Sequence, residues 1–192
     1  MKKTLLLGSL FLFFAAQIAV AQSKAKPEAK AKAKPEVKAK AEVKALPDTL
    51  TWYTDLAKVQ ALSKKTNKPI FAFFTGSDWC GWCHKLQRDV FAKPAFIKWA
   101  NEKVVLLELD FPRRKTLPAE LAKQNMELQR TFGIQGYPTI WLFTLKDGAN
   151  NQKEIAALGS LGYPSGATTG QEEVKFLESA NQVLNNTGGK KP

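Results

Sequence analysis

Cysteine and histidine are nearly absent: 192 residues hold two cysteines, Cys80 and Cys83, and one histidine, His84. A closed zinc site needs four protein ligands, so these three fall short and no metal is expected. The chain has one long apolar run, Leu5 to Val20, and its 16 residues include Gly8, Ser9 and Gln17. That is short of the roughly 20 apolar residues a spanning helix requires. Lys2 and Lys3 precede the run and Ala19-Val20-Ala21 closes it before Gln22. This is the layout of a secretory signal peptide over residues 1–21, cleaved near Ala21–Gln22, with an uncleaved anchor as the alternative. No cysteine follows the run to carry a lipid. The expected location is periplasmic or secreted.

Acidic residues are also scarce, 17 against 29 Lys and Arg, for a net charge of +12. Much of that excess lies in one stretch. From Ser23 to Leu46 the composition collapses to Lys, Ala, Pro, Glu and Val, with eight Lys against three Glu. Pro27 and Pro35 interrupt any helix and little there can be buried, so residues 22–47 read as a disordered or semi-rigid linker. A charge run of this kind is ordinarily solvated chain, with weak attraction to anionic envelope polymers as its functional counterpart. No recognition module accompanies the charge, so nucleic acid is not an expected partner.

Residues 48–187 suffice for one domain with a proper core, followed by a flexible tail at 188–192. Asp55 to Lys65 sets Leu56, Val59, Ala61 and Leu62 on one predicted helical face, ended by Asn67-Lys68-Pro69. Ile70 to Phe74 is wholly apolar and rich in strand formers, the mark of a strand buried on both faces. Gly76-Ser77-Asp78 turns the chain, with Asp78 as a turn or cap residue, and a helix begins near Cys80 and runs through Val90. Pro94 opens a second helical piece, and Val104 to Leu109 is another buried strand. Leu117 to Phe132 spaces Leu121, Leu128 and Phe132 for a helix capped by Gly133. Thr139 to Leu145 and Glu154 to Leu158 form a hairpin, and Gln171 to Leu184 is a last helix. That order describes an α/β structure with a mixed sheet.

In an oxidising compartment two cysteines would ordinarily be one structural bridge. Here only Gly81 and Trp82 separate them, so the closed loop is very short and the bridge a poor staple. Redox chemistry suits the pair better. A reactive cysteine needs a lowered pKa and a route to solvent. Cys80, at a helix N-terminus, has unpaired N–H groups and the positive dipole end beside its sulfur. Cys83 lies one turn deeper, within reach of Cys80 and shielded. Cys80 is therefore the expected attacking thiol and Cys83 the resolving one.

The context is informative: the buried strand Ile70 to Phe74 comes first, Trp79 abuts the pair, and Phe132-Gly133-Ile134-Gln135-Gly136-Tyr137-Pro138-Thr139 follows about fifty residues on. In these features the chain resembles the thioredoxin family from roughly Asp55 to Leu184. The resemblance implies the thioredoxin fold, α/β with a central mixed β-sheet flanked by helices on both faces. It also implies a cis Tyr137-Pro138 bond facing the cysteines. A proline there donates no backbone hydrogen bond, leaving a strand edge on which a substrate peptide can pair. The run Gly76 to Cys83, with Trp82 where most thioredoxins have proline, is similar to that of a group of exported bacterial thioredoxin-like proteins.

One departure concerns protons. Thioredoxins bury an aspartate in the strand before the pair, and Ile70 to Phe74 has no carboxylate. Glu108 is a substitute candidate, against the plainer reading that it points to solvent. His84 reads either as a local cation or proton shuttle, or as a solvated residue with a local hydrogen bond. Trp79 and Trp82 form a candidate aromatic rim for substrate, with core packing the alternative for Trp79. No cofactor is implied.

The leading expectation is a thiol-disulfide oxidoreductase exchanging with cysteine-containing exported proteins. Trp82 supplies no charge to favour the reduced pair, which leans the direction towards reductase and implies a membrane electron donor. The alternative is a thioredoxin-fold binding module or assembly factor with an inert disulfide. Nothing in the sequence demands a dimer.

Overall fold

The computed structural model describes residues 48–148 and 153–186. The expected signal peptide, the linker and the tail lie outside them. Among the described residues no helix is long and apolar enough to cross a membrane.

Five strands form one sheet: β1 (Trp52–Tyr53), β2 (Ile70–Thr75), β3 (Val105–Asp110), β4 (Thr139–Asp147) and β5 (Lys153–Leu161). Their order is β1-β3-β2-β4-β5. The first three run parallel, and β4 pairs antiparallel to both β2 and β5. Every residue of β2 is buried, as expected for the central strand of a sheet covered on both sides. Its alternation divides the core. Ile70, Ala72 and Phe74 join Val59 of α1 (Leu56–Thr66) and Leu128 of α4 (Ala119–Thr131) on one face. Phe71 and Phe73 join Cys83, Phe96, Trp99 and Phe176 on the other. That second layer consists of α2 (Gly81–Leu86), α3 (Pro94–Lys103) and α5 (Glu172–Asn186). Helices thus flank the mixed sheet on both faces.

Local chemistry accounts for the boundaries. Asp55 caps α1 by accepting the Lys58 N–H at 3.1 Å, and Asn67 ends it at φ 54°. Pro94 takes the first turn of α3, where a missing N–H costs nothing. Three sequence readings need correction. Ala61 is exposed, and Gln60 and Ser63 flank Val59 in the buried face of α1 instead, because 3.6-residue periodicity carries position 61 away from Leu56. The last strand runs on to Leu161, its pairing with β4 irregular between Leu142 and Phe143. The helix after Cys83 changes to a π-helical turn over Gln87–Phe91. The two-residue β1 carries no local signal and had not been expected.

Candidate active site

The site begins at the end of β2. Beyond Thr75 the chain turns through Gly76, Ser77 and Asp78, with the Cys80 N–H donating to the Gly76 carbonyl at 2.8 Å. Cys80 is the N-cap of α2 and is joined to Cys83 in a disulfide, with a Cα–Cα distance of 5.3 Å. The Cys83 backbone N–H points at Cys80 Sγ from 3.2 Å. Cys83 is fully buried, whereas Cys80 keeps 4 % of its surface. The expected open route to Cys80 is therefore narrow. Its sulfur belongs to a core cluster against which Trp79, Tyr137 and Tyr163 pack.

Pro138 enters at the start of β4, and the Tyr137–Pro138 bond is cis. The Tyr137 ring stands edge-on to Trp79, centroids 5.7 Å apart, which brings the proline segment against the turn that carries Cys80. Tyr137 also accepts a hydrogen bond from Gln129 at 2.7 Å. Burial pushes its phenol above the ordinary value. Trp79 is half-buried: its indole N–H donates to the Phe111 carbonyl at 2.8 Å and its ring lies under Arg113. Trp79 is thus neither fully in the core nor fully at the surface. Trp82 is 58 % exposed and Gly81 is exposed beside it. The Trp82 ring meets Tyr163 edge-on, with centroids 5.1 Å apart.

His84 is exposed, with Nε2 2.9 Å from the Ser77 carbonyl. A carbonyl can only accept, so Nε2 carries the proton in that bond. Glu108 is half-buried in β3, in register with Phe73. It alternates with Leu107 and Leu109, which face the other core, and so lies on the sheet face that α2 covers. Burial, and then the charge of Asp110, push its carboxyl above the ordinary value. Glu108 is accordingly not the solvent-facing residue of the plainer reading.

Sequence reasoning missed Asp110. The strand was expected to stop at Leu109, but β3 continues one residue further, opposite Thr75. Asp110 accepts the Ser77 N–H at 2.8 Å, the Ser77 hydroxyl at 2.6 Å and Lys115 Nζ at 3.0 Å. Burial pushes its carboxyl up, but the Ser77 bonds and Lys115 outweigh that and hold it below the ordinary range. Also missed was a cluster behind Trp82. Lys85 donates to Asp89 and to the Tyr163 hydroxyl, each at 2.5 Å, and that hydroxyl donates to Asp89 at 3.0 Å. The available signals were a polar residue closing an apolar strand and a Tyr-Pro pair after the hairpin, and neither names its partner.

A family model described as a thioredoxin-like domain matches residues 56–162. Disulfide bond reductase DsbH of Chlamydia pneumoniae is 36 % identical over 97 residues, 50 % of this chain and 55 % of that protein. Thioredoxin-related protein DsbJ of the same organism is 29 % identical over 132 residues, 69 % of this chain and 36 % of that protein. The chain thus spans about half or less of the length of these curated relatives. Among solved structures, one titled DsbH oxidoreductase aligns with a TM-score of 0.59 at 27 % identity, covering 73 % of this chain and 88 % of that one.

Proposed function

The chain belongs to the thioredoxin-like domain family, and on that premise we propose that it is a thiol-disulfide oxidoreductase that reduces disulfides of exported proteins. One observation carries this reading: Cys80 sits at a helix start with the Cys83 N–H aimed at its sulfur, while its buried partner is already bonded to it. A hydrogen bond to the charged form favours it, so the same N–H is placed to stabilise a Cys80 thiolate once the pair is reduced. The relative DsbH is a disulfide bond reductase, which supports the direction.

The Cys80 thiolate attacks one sulfur of a substrate disulfide. That bond breaks, one substrate sulfur leaves as a thiolate, and the other stays joined to Cys80. Cys83 then gives up its proton and attacks Cys80 Sγ, which releases the second substrate thiolate and restores the Cys80–Cys83 disulfide. Two electrons pass to the substrate, and a membrane electron donor returns them. Glu108, half-buried on the sheet face that α2 covers, is the proton acceptor we assign to Cys83, and its burial favours the protonated form. In this scheme the segment at Tyr137 and Pro138, just ahead of the paired part of β4, receives the substrate backbone, and Trp79, Gly81 and Trp82 supply further substrate contacts. His84, tied to Ser77, holds the turn and relays no proton in this scheme. Residues 1–21 direct export, and residues 22–47 tether the domain in the periplasm or outside the cell.

The test is a Cys83→Ser variant incubated with disulfide-bearing envelope proteins. Mixed disulfides through Cys80 are expected; trapping through Cys83 in the Cys80→Ser variant instead would reverse the roles. A second reading, a binding module with an inert disulfide, draws on the 4 % exposure of Cys80. It predicts slow alkylation of the reduced protein at neutral pH and no reduction of insulin, and that pair of results would displace the enzymatic reading.

A further inference from the structure

The loop after β3 reads Phe111-Pro112-Arg113-Arg114-Lys115, and it is fastened to the turn that presents Cys80. Asp78 accepts the backbone N–H of Arg113 at 3.0 Å and that of Arg114 at 2.7 Å. The Trp79 indole fixes Phe111 from the other side. These bonds engage backbone groups, one carboxylate and the indole N–H, and neither guanidinium group takes part in them. Arg113 places its guanidinium 3.8 Å from the centroid of Trp79, the residue immediately before the first cysteine. Arg113 and Arg114 are both exposed, and neither forms a salt bridge among the described residues.

The neighbouring charges are already committed. Lys115 is paired with Asp110 at 3.0 Å. Lys85, on the Trp82 side, is taken by Asp89 and Tyr163. The Arg114 charge helps keep Asp78 ionised, but that carboxylate is occupied by the two backbone N–H groups. A guanidinium stacked on an indole keeps its N–H donors in its own plane above the ring, with the outer edge open to a forked contact with a carboxylate. Stacking also holds the side chain in place before a ligand arrives, which lowers the ordering cost of binding.

We propose that Arg113, with Arg114 beside it, is a specificity element that selects polypeptides carrying Asp or Glu close to the cysteine that meets Cys80. The inference deepens the exchange function proposed above and rests on it, because Cys80 is what makes this loop the edge of a substrate site. The carboxylate is held by the Arg113 fork while the neighbouring sulfur reaches the pair. The gain is expected to be about fivefold, the size of one well-formed exposed ion pair.

Binding without chemistry tests this independently of exchange. The full oxidised chain is titrated into two labelled peptides in which serine replaces cysteine, one flanked by Glu and one by Gln, with anisotropy read at physiological salt. The Glu peptide is expected to bind about fivefold tighter. In Arg113→Gln/Arg114→Gln the ratio should fall to near one. Arg113→Lys keeps the charge but loses the fork, and should lower the ratio as well. Lys98→Gln/Lys103→Gln removes the same charge from α3 and should leave the ratio intact, which separates the loop from general basic charge on the domain. Equal affinity for both peptides, no measurable binding of either, or an equal loss in the α3 variant overturns the proposal. The same sequences offered as disulfides to the reduced protein report on exchange separately. No turnover of either would sink the oxidoreductase reading, while the binding ratio still decides the role of the arginines.

Discussion

Replacing Asp110 by Asn should loosen the turn that presents Cys80, and the cost can be worked out from its partners. Asp110 is 8 % exposed and uses its two oxygens for the Ser77 N–H at 2.8 Å and the Ser77 hydroxyl at 2.6 Å. Hydrogen bonds to a charged group contribute about 1.5–3 kcal/mol each. Asn offers a single acceptor oxygen, so one bond is weakened to a neutral one and the other is lost or reversed. The exposed Lys115 partner adds little to the sum. The expected loss is about 2 kcal/mol in urea unfolding of the disulfide-intact chain at pH 7, with an unchanged m value. The pH dependence has a definite sign. The native carboxyl lies below its unfolded value of about 3.9, so its stabilisation is complete above that value and disappears as pH falls through the native one. The gap between wild type and Asp110→Asn should therefore close below about pH 4. A gap under about 0.5 kcal/mol at pH 7, or one that persists in acid, would refute the anchoring role.

Two further perturbations probe the shape of the site and the core beneath it. In Gly76→Ala the new methyl group would lie 2.4 Å from Trp79 Cε2 and Nε1, so the indole has to move off the Phe111 carbonyl and from under Arg113. A loss of about 1–3 kcal/mol and a changed tryptophan emission spectrum are expected, and a variant indistinguishable from wild type would contradict the packing. Phe71→Ala removes a fully buried ring that meets Trp52, Phe91, Phe96, Trp99 and Phe176 at centroid distances of 5.8–6.2 Å. It should cost about 3–5 kcal/mol by thermal or denaturant unfolding, and a loss below about 1 kcal/mol would mean that the aromatic layer is not the main core of that face.

The order of elements was legible in the sequence because it is written in local patterns. The apolar run Ile70 to Phe74, the caps at Asp55 and Asn67, Pro94, and the hairpin signals each act within a few residues. The spacing of Cys80 and Cys83 places both on one turn for the same reason. Pairing across the chain follows a different rule. Asp110 and Ser77, or Asp78 and Arg113, stand 33 and 35 residues apart, and no periodicity announces that the sheet brings the end of β3 beside the turn after β2. Trp52–Tyr53 is a strand only because β3 offers it an edge. Glu108 turned inward because strand alternation, locked by the register with Phe73, overrides the preference of a carboxylate for water. The burial of Cys80 was decided in the same way, by a core cluster against which residues from distant segments, Tyr137 and Tyr163 among them, pack. By itself the sequence determined which groups could do chemistry and on which elements they sit. Only the tertiary structure decided which charges are already paired, which guanidinium groups remain open, and how narrow the path to the sulfur is, because burial and electrostatics depend on neighbours that the fold supplies.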